Sequence, residues 1–148
     1  MSTVLNQDFT GRSYPPSEVY VVSRAKIAEF ATAVGADAPA YFDPEWARVH
    51  GYPDVLAPPT FPILLALPAA ERILRDEELG LDYRRLVHRD QDFRYHRPIH
   101  AGDRLTTALT ITDIRATSSN ELCVLRARIA DDAENDVCEV TMGFLVRT

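Results

Sequence analysis

The alternation of hydrophobic and polar positions predicts helices in the first half of the chain and strands in the second. A short strand candidate at residues 18–22 precedes Ser23, a typical helix N-cap, and apolar residues then recur at helical spacing until Gly35, a typical helix stop. An Asp-Pro pair at residues 43–44 predicts a second, short helix that carries Trp46. The first of these helices is amphipathic, so it is expected to pack against the rest of the protein.

A third helix is predicted from Thr60, as its N-cap, towards Leu74. Its side chains are apolar on nearly all sides, which is typical of a helix buried in a core. Pro68 lies inside this segment and has no amide hydrogen, so a kink or a division into two pieces is expected.

From residue 86 the pattern changes to strict alternation. Apolar residues share one face in each of three segments, 105–111, 123–129 and 138–146, and polar turns separate the segments. Hairpin connections of this kind predict an antiparallel meander. One more strand is predicted at residues 90–97, where Pro98 ends it.

The hairpin register separates the two cysteines. A last turn centred near residues 133–134 places Ile129 opposite Cys138 and Cys123 opposite Phe144. At the rise of a β-strand the two thiols are then roughly 20 Å apart, which is beyond disulfide reach. We interpret them as two small buried side chains in a reducing compartment.

Composition predicts one soluble globular domain over residues 1–148, because 46% of the residues are hydrophobic and 26% are charged. A formal net charge of −6 argues against a nucleic-acid surface. Five arginines between residues 84 and 97 are interpreted as a solvated strand face rather than a docking patch for an anionic carrier. No secretory signal or membrane-spanning segment is visible, so a cytoplasmic location is predicted.

A long apolar helix followed by several antiparallel strands predicts an α+β hot-dog fold, in which the sheet wraps around a buried central helix. Three segments, taken in order, resemble the FAS1-like dehydratase branch of the MaoC-like family. They are residues 30–42 (FATAVGADAPAYF), 56–61 (LAPPTF) and 93–105, whose core reads RPIHAGDRL. Together these segments span most of the chain.

The resemblance implies where a catalytic pair would lie. Catalytic members of the family read approximately Gly-Asp-x-Asn-Pro-hydrophobic-His in the loop after the first helix, and alignment on Pro39 puts Ala36, Ala38 and Tyr41 at the Asp, Asn and His positions. Hydration of an acyl thioester needs a base near its working pH, and a phenol with a pKa near ~10 is a poor one. Asp37, one place off, is a weak substitute, so no catalytic residue is expected.

The resemblance therefore implies a division of labour between two homologous hot-dog subunits. This chain would bind the acyl chain of an acyl-ACP or acyl-CoA substrate, and its partner would supply the Asp and His of a (3R)-hydroxyacyl thioester dehydratase in fatty-acid elongation. No cofactor or metal is implied. The predicted substrate-binding residues are Tyr41, Phe42, Trp46, Pro59, Thr60 and Phe61. Ordinary core packing is the competing interpretation of such apolar residues.

The remaining candidate residues offer little acid–base chemistry. His50 falls at a helix C-terminus, and His88 and His96 are predicted on the solvated face of a strand, so none is preferred as catalytic. His96 and His100 are the one close pair, which is poor support for a metal site. Pro62, in the first turn of the buried helix, removes an amide that an active enzyme could direct at a thioester carbonyl.

Two other functions stay open. A self-sufficient hot-dog hydratase or acyl thioesterase would use Asp37 or one of the histidines, and a non-enzymatic homodimer would bind an acyl thioester without chemistry. Serine-hydrolase, phosphate-loop and dinucleotide-binding motifs are not present in the sequence. An exposed sheet edge predicts a dimer, either a homodimer in isolation or a heterodimer with the partner.

Overall fold

The computed structural model describes residues 4–147; residues 1–3 and 148, the ends of the predicted domain, lie outside the described residues. The α-helices in that range are α1 (Arg24–Ala33), α2 (Pro44–Val49) and α3 (Ile63–Leu74). The strands are β1 (Tyr20–Val21), β2 (Leu86–Tyr95), β3 (Arg104–Ala116), β4 (Asn120–Ala130) and β5 (Asp136–Arg147). Short 3-10 helices occur at Gln7–Phe9, Pro39–Tyr41, Glu77–Leu79 and Tyr83–Arg85.

The strands form one five-stranded antiparallel sheet in the order β1-β3-β4-β5-β2. β3, β4 and β5 are neighbours both in sequence and in space, which confirms the predicted meander. One apolar core joins the inner face of the sheet to α3, which contributes Leu65, Ala66, Ala70, Ile73 and Leu74. The predicted α+β hot-dog fold is confirmed.

The strand register confirms the predicted positions of the two cysteines. Cys123 lies opposite Phe144, and Ile129 lies opposite Cys138, across β4 and β5. Both thiols are free and buried, and burial raises the pKa of each to about 12. They therefore pack as protonated, apolar side chains.

Side-chain caps begin α1 and α2 where the sequence predicts them. Ser23 Oγ accepts a hydrogen bond from the amide of Lys26 (3.0 Å), and the Asp43 carboxylate accepts one from the amide of Glu45 (3.0 Å). Gly35 follows α1 with a φ of +73°, a left-handed conformation that favours glycine. The chain turns there into the loop that joins the two helices.

The buried helix α3 starts later than predicted. Its N-cap is Pro62, and Thr60 contributes its backbone carbonyl, not its side chain, to the amide of Ile63 (3.1 Å). The prolines around residues 58–62 disfavour helical conformation in the residues before them, which explains the delay. α3 then runs unbroken through Pro68, so of the two predicted outcomes the division into two pieces is wrong, and the kink stays a prediction. Within residues 4–147, no helix is long and apolar enough to cross a membrane.

Two strand boundaries also differ from the prediction. β1 is confined to Tyr20–Val21 instead of residues 18–22, and β2 spans Leu86–Tyr95 instead of residues 90–97. β2 forms an edge of the sheet and pairs with β5. The segment after Tyr95 leaves the sheet before reaching Pro98.

A β-bulge in β2 changes the orientation of His88. The register shifts between His88 and Asp90, so His88 lies opposite Phe144, a core residue, and its ring centroid is 4.8 Å from that of Phe144. Its Nε2 lies 3.0 Å from Oε1 of Gln91, another residue on the core-facing side of β2. The prediction that His88 lies on the same face as Asp90 is wrong, because one inserted residue reverses the alternation before it; the His88 side chain is nevertheless exposed, as predicted.

The carboxylate of Asp90 occupies the space that a side chain at Gly143 of β5 would need. A Cβ at this position would overlap Oδ1 of Asp90 and lie 2.8 Å from its Cγ. We expect Gly143→Ala to lower the free energy of unfolding by no more than about 1 kcal/mol, since the exposed Asp90 side chain can rotate away and release Arg89. Urea denaturation measures this change.

The Asp90→Ala background is the matched control for Gly143→Ala. Without the Asp90 carboxylate the added methyl group has space, and alanine restricts the unfolded chain more than glycine does, so the second substitution should be neutral or stabilising. An undiminished loss of stability in that background would contradict the steric explanation.

Candidate functional site

Three segments converge on an open cleft of about 470 Å³. The 3-10 turn at Pro39–Tyr41 forms one wall, the segment before α3 forms a second, and the end of β2 with the following loop forms a third. The lining residues are Ala40, Tyr41, Leu56, Ala57, Pro59, Tyr95, His96, Arg97 and Pro98. The cleft is mostly apolar, and it contains two phenols, one imidazole and one guanidinium.

Tyr95 joins two of these walls. Its hydroxyl donates a hydrogen bond to the backbone carbonyl of Pro59 (2.6 Å), which ties the end of β2 to the segment before α3. Burial strongly raises the pKa of the Tyr95 phenol, and the nearby Cys138 and Tyr41 raise it further. Tyr95 is therefore a neutral hydrogen-bond donor that holds the cleft in shape, not a proton acceptor.

The loop after α1 places beside this cleft the positions that the resemblance assigns to the catalytic residues of the family. Ala36 is half-buried, and its amide donates to the carbonyl of Ala31 (2.8 Å). Tyr41, at the position that the resemblance assigns to histidine, lines the cleft. Asp37 is exposed and is not among the lining residues, and its role as a substitute for the missing pair stays a prediction.

The other predicted substrate contacts are dispersed. The structure brings Tyr41 and Pro59 together in the cleft, whereas Phe42 is 43% exposed outside it. Phe61 is completely buried in the core, with its ring 5.6 Å from Phe30 in an edge-to-face contact. As substrate contacts, all of these residues stay predictions.

Trp46 and Thr60 are also outside the cleft lining. The Trp46 ring on α2 stacks on His50, the predicted helix-end histidine, with centroids 3.8 Å apart. Thr60 is an exposed neighbour of Pro59. Tyr95 and Arg97 line the cleft but were not predicted from the sequence. The alternation of β2 could have indicated Tyr95, because it puts that residue on the side of the strand opposite the solvated face.

The N-terminus of α3 has few amides to offer a ligand. Those of Ile63, Leu64 and Leu65 donate to the carbonyls of the preceding turn, at 3.1, 3.0 and 3.0 Å. Pro59 and Pro62 have no amide hydrogen. An oxyanion hole requires unengaged donors directed at the ligand, so this helix end is poorly suited to polarise a thioester carbonyl.

One imidazole and one carboxylate do meet nearby, but not as a base and its orienting group. His100 Nε2 lies 3.4 Å from Asp103 Oδ1, while His100 Nδ1 lies 2.8 Å from the carbonyl of Ala101. Both ring nitrogens therefore face acceptors, and neither presents a lone pair to a ligand. Neither His100 nor Asp103 lines the cleft.

Arg97 completes this cluster from the cleft side. Its guanidinium donates two hydrogen bonds to the buried Asp103 carboxylate (2.9 and 3.0 Å) and a longer one to Asp131 (3.4 Å). These partners raise the pKa of Arg97 further. The cluster is a structural clamp between the end of β2, the turn before β3 and the turn before β5.

The arginine run does not form one strand face. Arg84 and Arg85 lie in a 3-10 turn before β2 and pair with Asp82 (3.1 and 3.6 Å), and Arg89 pairs with Asp90 (2.6 Å). Of the five, Arg94 is the one whose charge has no ion-pair partner in the described part of the chain.

Comparison with known proteins agrees with this architecture. The family model of the FAS1-like dehydratase domain region matches residues 8–140. The chain belongs to the FAS1-like dehydratase family. A relative from Saccharopolyspora erythraea, a UPF0336 protein, is 47% identical over 143 residues, which are 97% of this chain and 92% of the relative.

Solved structures place this FAS1-like dehydratase chain among hot-dog enzymes. The structure of the C-terminally truncated HadBC (3R)-hydroxyacyl-ACP dehydratase complex from Mycobacterium tuberculosis contains a similar chain, with 31% identity, a TM-score of 0.85, and coverage of 95% of this chain and 99% of that one. A MaoC-like dehydratase has a TM-score of 0.88 at 29% identity; the match covers 95% of this chain and 42% of that chain. Dehydratase or hydratase chemistry is thus the general activity of the family.

Proposed function

We propose that this chain is the acyl-binding, non-catalytic subunit of a (3R)-hydroxyacyl-ACP or -CoA dehydratase in fatty-acid elongation, and that a homologous hot-dog subunit supplies the catalytic Asp and His. The observation that carries the proposal is the loop beside the cleft, where Ala36, Ala38 and Tyr41 replace the polar residues of catalytic members. The proposal keeps the single domain and the cytoplasmic location predicted from the sequence.

The chemistry of the cleft supports a binding role. Its walls are largely apolar, as an acyl chain requires, and the Tyr95 hydroxyl is engaged by Pro59. The first amides of α3 donate to carbonyls of the preceding turn, so a thioester carbonyl would find little polarisation there. Each of these features suits the binding of an acyl chain better than it suits proton transfer.

The free edge of β2 supports a partner of the same fold. β2 pairs with β5 on one side, and its other side has no strand beside it within residues 4–147. Its core-facing side chains Gln91, Phe93 and Tyr95 are only half-buried. A hot-dog subunit docked along β2 would cover them and lie beside the cleft, consistent with the similarity to a chain of a dehydratase complex.

One observation favours a second candidate, a self-sufficient hydratase. His96 lines the cleft and is exposed, so its imidazole is accessible to a ligand. It has no carboxylate within ion-pair distance in the described residues, however, and a base without an orienting group is a poor match to this chemistry.

Hydration of a trans-2-enoyl-CoA separates these functions. The purified chain should give no turnover, and addition of a homologous subunit with an intact Asp-x-Asn-Pro-x-His loop should produce turnover, because proton transfer contributes factors of about 10²–10⁴. Turnover by the chain alone that His96→Ala abolishes would establish the second candidate instead. Binding of the thioester with no activation by the partner would leave a non-enzymatic binding protein.

A further inference from the structure

A second groove lies on the other side of α3, between that helix and the N-terminal strap, which we define as residues 12–21. The strap runs along β3: the amides of Tyr14 and Ser17 donate to the carbonyls of Leu109 and Thr107 (2.8 and 2.9 Å), and β1 continues the pairing. Two adjoining lobes of about 210 and 420 Å³ make up the groove. The strap thus holds a wall of the groove in place through backbone hydrogen bonds.

The walls of the groove are mainly aliphatic. The inner lobe is lined by Pro15 from the strap, Ala69 and Ile73 from α3, and Leu109 from β3. In the outer lobe, Leu65, Pro68 and Val19 take their place. Four residues line both lobes and so mark their junction: Ser17, Ala69, Arg72 and Thr107.

Side chains that can donate a hydrogen bond to a ligand lie at this junction and in the inner lobe. The Tyr14 hydroxyl is buried and makes no hydrogen bond of normal geometry in the described structure, and the Arg12 guanidinium lies near it. Thr107 is only 4% exposed, and its side chain lines both lobes. Arg72, in the last turn of α3, has no carboxylate within 4 Å among residues 4–147. A buried donor that lacks an acceptor costs about 1–3 kcal/mol, so an oxygen-bearing ligand would relieve a real deficit.

The other polar groups of the groove are engaged or peripheral. Ser17 Oγ donates to the carbonyl of Glu18 (3.0 Å) and accepts from the amide of Thr107 (2.9 Å). Asp76 lines the inner lobe, but its Oδ1 accepts from the amide of Glu78 (3.0 Å). Exposed Glu18 lines the outer lobe alone. The lining therefore carries the positive charge of Arg72 and the negative charges of Asp76 and Glu18, and the side chains able to donate to a ligand are those of Arg72, Tyr14 and Thr107.

We propose that this groove binds an aliphatic chain that ends in a carboxylate, such as a free fatty acid. The carboxylate lies at the junction of the lobes, where it accepts hydrogen bonds from Arg72, Tyr14 and Thr107, and the chain lies against Ala69 and the aliphatic walls. A carboxylate fits this donor set better than a neutral head, because hydrogen bonds from a guanidinium to an ionised acceptor are about twice as strong as neutral ones.

This groove is separate from the cleft beside the loop that follows α1. No residue lines both, and the groove lies on the β3 side of α3 whereas the cleft lies at the start of α3 and the end of β2. The inference therefore stands or fails independently of the proposed subunit role, and a free acid here would not occupy the position of an acyl thioester in the cleft.

Calorimetric titration of the purified chain with dodecanoate tests the proposal. One site is expected, and Tyr14→Phe and Arg72→Gln should each weaken binding roughly tenfold, since each removes one hydrogen bond from the head group. Methyl dodecanoate should bind the unsubstituted chain no more tightly than dodecanoate binds the Arg72→Gln variant. Arg75→Gln is the matched control, because Arg75 stacks on Tyr83 outside the groove, and it should leave the affinity unchanged.

A steric variant and a map of the site keep the test decisive. Ala69→Leu fills the groove and should abolish binding while circular dichroism shows a folded chain, and dodecanoate should shift the amide resonances of Ala69 and Thr107 rather than those of Tyr41 and Tyr95. Unchanged affinity in folded Tyr14→Phe and Arg72→Gln variants, equal binding of acid and ester, or shifts confined to the cleft would each overturn the proposal.

Discussion

Phe61→Ala should lower the free energy of unfolding by about 3–5 kcal/mol, the range for emptying a fully buried aromatic site. The Phe61 side chain has no solvent exposure, and it packs edge-to-face on Phe30 just before α3 begins. Its removal leaves a cavity between α1 and the core that the surrounding backbone cannot close. Urea or thermal denaturation of the two proteins measures the difference.

Phe42→Ala is the matched control for this substitution. Both phenylalanines are predicted substrate contacts, but Phe42 is 43% exposed, so its loss should change stability by less than about 1 kcal/mol. A large loss at Phe61 would favour core packing as the main role of that residue. Equal, small effects at both positions would contradict the position of Phe61 in the core.

The parts of the fold that local chemistry determines were predictable. The caps at Ser23 and Asp43 satisfy amides of their own helices, so the signal lies within a few residues. The opposition of Cys123 and Phe144 followed from one turn, because a hairpin register is set where the chain reverses. Such features need no knowledge of distant segments.

Two local predictions were wrong, the face of β2 on which His88 lies and the residue at which α3 begins. The bulge beside His88 puts that exposed side chain on the core-facing side of the sheet, yet Arg89, the inserted residue, is not a residue type that predicts a bulge. Thr60 is a good capping residue by type, but the surrounding prolines delay the helix until Ile63. In both cases a correct local preference was overridden by its neighbours.

The candidate site was predictable in position but not in composition. Tyr41 and Pro59 were identified because both fall in segments that resemble the family, and they share the cleft. The third wall could not be predicted, since Tyr95 reaches Pro59 across 36 positions of sequence and does so only because β2 pairs with β5 at the sheet edge. The alternation of a strand predicts which face Tyr95 occupies, but only the sheet topology determines that Pro59 lies next to it.

Asp103→Leu should lower the free energy of unfolding by about 3 kcal/mol. Asp103 is only 7% exposed, and its carboxylate accepts two hydrogen bonds from Arg97 and one from the amide of His100 (3.0 Å). Leucine would leave the Arg97 guanidinium and the amide without this acceptor, and breaking a buried pair costs up to about 3–5 kcal/mol. We expect the lower end of that range, because Arg97 is 32% exposed and keeps Asp131.

Two further variants show whether the cost of Asp103→Leu comes from leaving a buried charge unpaired or merely from losing an ion pair: Asp132→Leu alone, and Arg97→Leu combined with Asp103→Leu. Asp132 pairs with Arg104 at 3.1 Å, but both side chains are more than half exposed, so its loss should cost less than about 1 kcal/mol. Arg97→Leu combined with Asp103→Leu should recover much of the stability lost by Asp103→Leu, because the guanidinium is no longer left without its main acceptor; Asp131 loses only its longer contact with Arg97. Strictly additive losses would instead show that Arg97 and Asp103 stabilise the fold independently, and the clamp between β2 and the turn before β3 would have to be abandoned.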